Sequence, residues 1–175
     1  MTLTLPRSSS SAPRLLLPGL VAPEPGLETY WVRSGGVTGV RLEAGDELTV
    51  VDRHGRQAAE LTVLLPDGSS DGVALGVQLG APATTVRALA ARVTASGIPD
   101  QVVAELRARG AAPDVLQAAR LFGDWSPAGA RESFTAAREA IVLVAAPAHA
   151  VRVDDEAANP PSDLLLEVRR AAPLG

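Results

Sequence analysis

Hydrophobic positions between residues 28 and 64 recur with a period of two, and beyond a polar break the period lengthens to that of a helix. Leu48, Val50 and Asp52 fall on one side of an extended chain and Thr49 and Val51 on the other, the alternation a strand imposes. This stretch predicts a strand over 37–42, a turn at Gly45 and Asp46, a strand over 48–51, a turn at Asp52-Arg53-His54-Gly55 and a strand over 57–64. Gly55 stands where a hairpin connection needs positive φ, which glycine reaches without steric penalty.

The break itself, Pro66-Asp67-Gly68-Ser69-Ser70-Asp71-Gly72, is a turn cluster. A strand over 73–79, weakened by Gly76, is expected next. Val86, Leu89, Ala90 and Val93 then follow helical spacing, with Thr84 or Thr85 as N-cap and Gly97 as terminator. Pro99-Asp100 and Pro113-Asp114 repeat one helix-start signal fourteen residues apart, closed by Gly110 and Gly123. Together they predict a helical hairpin. Residues 131–140 fit either a helix or an edge strand. Residues 141–146 form an apolar run bounded by prolines, the mark of a central strand buried on both faces. Residues 151–153 can pair beside it, 164–168 close the sheet, and the chain from Arg169 onward trails into solvent.

The order strands, helices, strands predicts an α+β domain, mainly an antiparallel β-sheet or sandwich, with the helical hairpin inserted at about 84–122. Residues 1–26, rich in Ser and Pro, read as a flexible arm, 27–170 as a single domain and 171–175 as a tail.

Composition narrows the function classes. Aromatics make up 3% of the 175 residues, so Val, Leu and Ala must build the core and little stacking surface remains. A net charge of −4 argues against nucleic acid, which calls for a basic patch. All 16 basic residues are Arg, which suits carboxylate recognition but also reflects an Ala- and Gly-rich coding bias. Without cysteine there is no disulfide, thiolate zinc site or Cys nucleophile. Neither a membrane span nor a continuous signal-peptide core is read, and cytoplasm is the expected location.

Candidate chemistry is sparse. His54 lies in the predicted turn and His149 beyond the late apolar run. His, His and a carboxylate is the best metal set on offer, and no metal or other cofactor is expected. Ser126 or Ser133 with His149 and an aspartate can be assembled on paper, but no nucleophile-elbow motif supports it. Asp52, Gln57 and Glu60 gather near one turn. Gln57 and Glu60 are an odd distance apart, so in one regular strand they would face opposite sides. His149, Asp52 and Glu60 are therefore weak catalytic candidates, and Gln57 and Arg56 weak ligand-binding ones.

Residues 42–57, with the spacing Gly45, Leu48, Asp52, Gly55, Gln57 and then Glu60, resemble the urea carboxylase-associated family. The late strand, Pro160-Pro161 and 164–168 extend that resemblance. Arg120-Leu121-Phe122-Gly123 and 126–130 look closer to modules at the front of folate-dependent aminomethyltransferase-like proteins of the glycine-cleavage T type. Hydrolases of the first family, such as carboxyguanidine deiminase, are expected to carry cysteine after the late strand. This chain reads Ala145-Ala146-Pro147-Ala148-His149 there. The resemblance thus implies a scaffold without that apparatus: a non-catalytic accessory subunit or domain beside an aminomethyltransferase-like enzyme of methylated-amine or one-carbon metabolism. Such a subunit would bind a protein partner or pair as a homodimer. The alternatives are a divergent metal-dependent hydrolase or deiminase acting on small carbamoyl or guanidino compounds, and a small-carboxylate binding module.

Overall fold

A computed structural model describes residues 26–123, 125–148 and 161–171. The N-terminal arm (save Gly26), the predicted strand over 151–153, His149 and the tail beyond Ala171 lie outside the described residues.

Among the described residues nine strands assemble into two sheets. The first has the order β1 (Leu27–Val32), β9 (Leu164–Arg169), β3 (Glu47–Asp52), β7 (Ala130–Thr135). The second runs β2 (Val37–Leu42), β8 (Ala140–Ala145), β4 (Ala59–Leu64), β6 (Gln117–Leu121), β5 (Ala81–Pro82). Every pairing between these strands is antiparallel. The expected α+β class, mainly antiparallel and sandwich-like, is what forms.

The turn at 52–55 is not a hairpin. β3 and β4 belong to different sheets, and the chain crosses the sandwich there. Both strands carry an apolar row, Leu48 and Val50 on β3 and Ala59, Leu61 and Val63 on β4, and all five enter one core cluster. Facing each other across the sandwich buries both rows, whereas pairing side by side would leave both needing another cover. Gly55 has the expected positive φ of 80°.

A second core lies on the outer face of the second sheet. Leu64, Ala118, Ile141 and Leu143 meet Val86 and Leu89 of α1 (Thr84–Ser96) and Val102, Val103 and Leu106 of α2 (Gln101–Ala108). β8 is therefore buried on both faces, Val142 and Val144 inward and Ile141 and Leu143 beneath the helices, as its continuous apolar run predicts. The molecule has three layers: sheet, sheet, helices.

The helical insertion is shorter than expected. Pro113–Val115 makes one 3-10 turn, after which the predicted third helix is instead β6. Apolar residues in an Ala-rich window satisfy both periods. The open backbone edge of β4 at Ala59, Glu60 and Leu61 decides the outcome, because β6 supplies its hydrogen-bond partners. The strand expected over 73–79 is a 3-10 turn, Gly72–Leu75, capped by the Asp71 side chain and closed by Gly76 at φ 65°. Residues 131–140 resolve as the edge-strand alternative, β7, with inward and outward positions alternating. α1 starts one residue earlier than expected, with Ala83 at the N-cap, and α2 begins at Gln101 with Asp100 as its N-cap, leaving Pro99 outside the helix.

The chain does not trail away after β9. The Arg170 N–H donates to the Gly26 carbonyl at 2.8 Å, and its guanidinium, only 13% exposed, turns inward. No helix among the described residues is long and apolar enough to cross a membrane.

Candidate functional site

The buried carboxylates and amide, Asp46, Asp52, Gln57 and Glu60, lie at two corners and under one helix. The first corner is the crossing from β3 to β4. Asp52 ends β3 with 0% exposure. Its Oδ1 accepts the Gly55 N–H at 2.8 Å, and its Oδ2 accepts the Gln57 N–H at 3.0 Å and the Ser126 hydroxyl at 2.8 Å. The same side chain thus turns its own loop and holds the loop leading into β7. Arg56, at φ 62°, donates its N–H to the Ser126 carbonyl at 3.0 Å and to the Ser126 hydroxyl oxygen at 2.8 Å. The two loops touch through backbone: a Cβ on Gly55 would sit 2.7 Å from the Ala128 nitrogen.

Gln57 extends the corner to a third loop. Its amide nitrogen donates to the Pro147 carbonyl at 3.1 Å and to Ala58 at 2.9 Å, while its Oε1 accepts the Ser162 N–H at 2.9 Å. Beside it Asp163 accepts from Arg33 at 2.6 Å and from the Ser34 N–H at 2.9 Å. Burial disfavours the Asp163 carboxylate's charge, but those two donors, with the charges of Arg33 and His54, hold its pKa below the ordinary value.

Glu60 sits elsewhere. It lies on β4 beneath α1, accepting from the Thr84 hydroxyl and from the Thr85 N–H at 2.9 Å. No side chain of α1's own N-cap does this, so the strand caps the helix. Asp52 and Gln57 are thus brought together and Glu60 is not, because Gln57 precedes the strand while Glu60 points to its outer face. Of the serine arrangements, Ser126 reaches Asp52, whereas Ser133 bonds Thr49 across β3 and β7 at 2.7 Å. His54 is exposed.

A second corner joins Arg170, Glu28, Asp46 and Tyr30. The Arg170 guanidinium contacts Glu28 at 2.7 and 3.1 Å, Asp46 at 2.7 Å and the Arg41 carbonyl at 2.8 Å. Tyr30 donates its hydroxyl to Glu28. Burial opposes ionised Asp46, but N–H donors from Glu43 and Ala171, with Arg170, prevail and lower its pKa. Burial, with the Glu28 carboxylate, pushes Tyr30 up to about 12. Burial also works against the Arg170 charge, yet Glu28 and Asp46 raise its pKa. Sequence reasoning missed this corner, since its members are far apart in the chain. It also missed Ser162 and Asp163 as partners, and placed Ser126 beside an aspartate only in a catalytic arrangement.

Chemically, the oxygens of Asp52 and Glu60 are engaged by donors that hold loops and a helix in place. Among the described residues no three His, Asp or Glu side chains converge as a metal-ion set.

No family model matches the chain. It is 34% identical over 162 residues to the trimethylamine-oxide aldolase of Ruegeria pomeroyi, a match covering 90% of this chain but 19% of that protein. The chain therefore spans about a fifth of the length of the curated relative it matches. Among solved structures, a DUF1989 family protein from Silicibacter pomeroyi superposes with a TM-score of 0.47 at 12% identity, over 83% of this chain and 77% of that one.

Proposed function

We propose that this chain is a non-catalytic unit that works beside an enzyme of methylated-amine or one-carbon metabolism, with an aminomethyltransferase-like protein as its partner. The observation that carries the metabolic reading is the 34% identity to a stretch of a trimethylamine-oxide aldolase, extending over 90% of this chain. For the non-catalytic part the reading rests on the anchoring roles of the buried polar side chains. Asp52 and Glu60 are committed to loop and helix anchoring, and Gln57 ties together loop stems.

The test is aldehyde release from trimethylamine oxide by the purified full chain, alone and with added zinc or ferrous iron. The expected result is none above background. Metal-dependent turnover by the chain alone, abolished in His149→Ala, would overturn the reading and point to a catalyst in its own right. A parallel assay on small carbamoyl and guanidino compounds covers the divergent-hydrolase alternative in the same way.

A further inference from the structure

Five aromatic side chains serve the whole chain. Tyr30 is buried, Phe122 and Phe134 pack on the inner core, and Trp31 lies under the Arg53 guanidinium at 5.3 Å. Trp125 is 90% exposed. The residues after it are tied to the 52–56 turn. Its neighbour Ser126 bonds Asp52, the Gly123 carbonyl at 3.0 Å and the Arg56 N–H, and Gly129 donates to the Asp52 carbonyl at 2.7 Å. Through Ser126, the Trp125 loop is joined to a turn that carries Arg53, His54 and Arg56 in a chain of net charge −4. His54 and Arg56 are exposed and no side-chain hydrogen bond or ion pair engages Arg56 among the described residues. The Asp52 carboxylate beneath them is buried and engaged, and Asp163 is held by Arg33 and Ser34.

We infer that Trp125 and the 53–56 turn form a docking face for a protein partner that presents carboxylates around an apolar recess. The inference rests on the function proposed above and names the surface that function uses. Tryptophan and arginine are the residues that most often dominate interface energies, and a loop ordered beforehand loses little entropy on docking. A small solute could cover one side of so exposed an indole, whereas a protein surface can enclose it. The relative's matched segment is 19% of its length, so there the equivalent unit is covalently joined to the larger protein.

The experiment is affinity capture with the full chain from its own organism, identification of the captured enzyme by mass spectrometry, and titration of that enzyme, once purified, against wild type and three variants. Trp125→Ala and Arg56→Glu are each expected to weaken binding about 30-fold or more, the range of an interface hot spot. Ile98→Ser, at an exposed apolar position between α1 and α2, is expected to leave it unchanged. Binding should also weaken as salt is raised. Undiminished binding by Trp125→Ala and Arg56→Glu, or its loss in Ile98→Ser, overturns the face while leaving the accessory function intact. Failure of wild type to capture any one-carbon or methylated-amine enzyme removes the function, and the face with it. A dimer of this chain lost on Trp125→Ala would assign the face to a second copy instead.

Discussion

Asp52 shows how one buried carboxylate can organise a corner. Three donors from two loops converge on it, so Asp52→Ala leaves buried N–H groups unsatisfied and is expected to cost about 2–4 kcal/mol, read as a fall in the denaturant midpoint. Gly55→Ala should be comparably damaging, since its Cβ would meet the Ala128 nitrogen at 2.7 Å with φ at +80°. The Arg170 corner contributes to the pH profile at both ends. Asp46 has a folded pKa below its ordinary 3.8, so it contributes stability above that value and loses it as pH falls through the folded pKa. Tyr30 is the opposite case: its contribution is complete below pH 10 and lost as pH rises through about 12. Thermal midpoints measured from pH 2 to 12 should decline at both ends. Asp46→Asn should flatten the acid limb and lower the midpoint near neutrality, and Tyr30→Phe should flatten the alkaline limb.

Among the elements, α1 depends most on a residue outside itself. Its N-cap is Ala83, and Glu60 on β4 supplies the acceptors its first turn needs. Glu60→Ala is expected to cost about 1–2 kcal/mol and to raise hydrogen exchange across residues 84–96 while β4 and β8 stay protected. Protection lost equally in the strands would show that Glu60 holds the sheet, not the helix. Strands β2, β3, β4, β8 and β9 were legible from sequence, because Val-rich alternation at 37–52 and the continuous run at 140–145 leave little choice of period. β6 was not legible. Leu116, Ala119, Leu121 and Phe122 fit a helix stripe as well as a strand, and what decides is the bare edge of β4, about 60 residues away. The turn at 52–55 was located but its destination was not, since local turn chemistry is silent on whether two strands pair or face each other.

Over the whole molecule, the candidate site was visible as a list of residues and not as an arrangement. Asp52, Gln57 and Glu60 stood out as polar groups near one turn, and the structure separates Glu60 from the other two by placing it under the helices. The anchoring partners Ser126, Ser162 and Arg170 carry no local signal, because each meets its counterpart only after the sandwich has closed.

The bond between Arg170 and Gly26 has a bearing beyond stability. β9 runs antiparallel beside β1, so the first and last described residues flanking these strands lie side by side. A body whose two ends meet can be spliced into a surface turn of another protein, or tethered by either end, without stretching the flanking chain. Genetic fusion at one end, insertion through both and separate expression are then interchangeable ways of delivering the same fold.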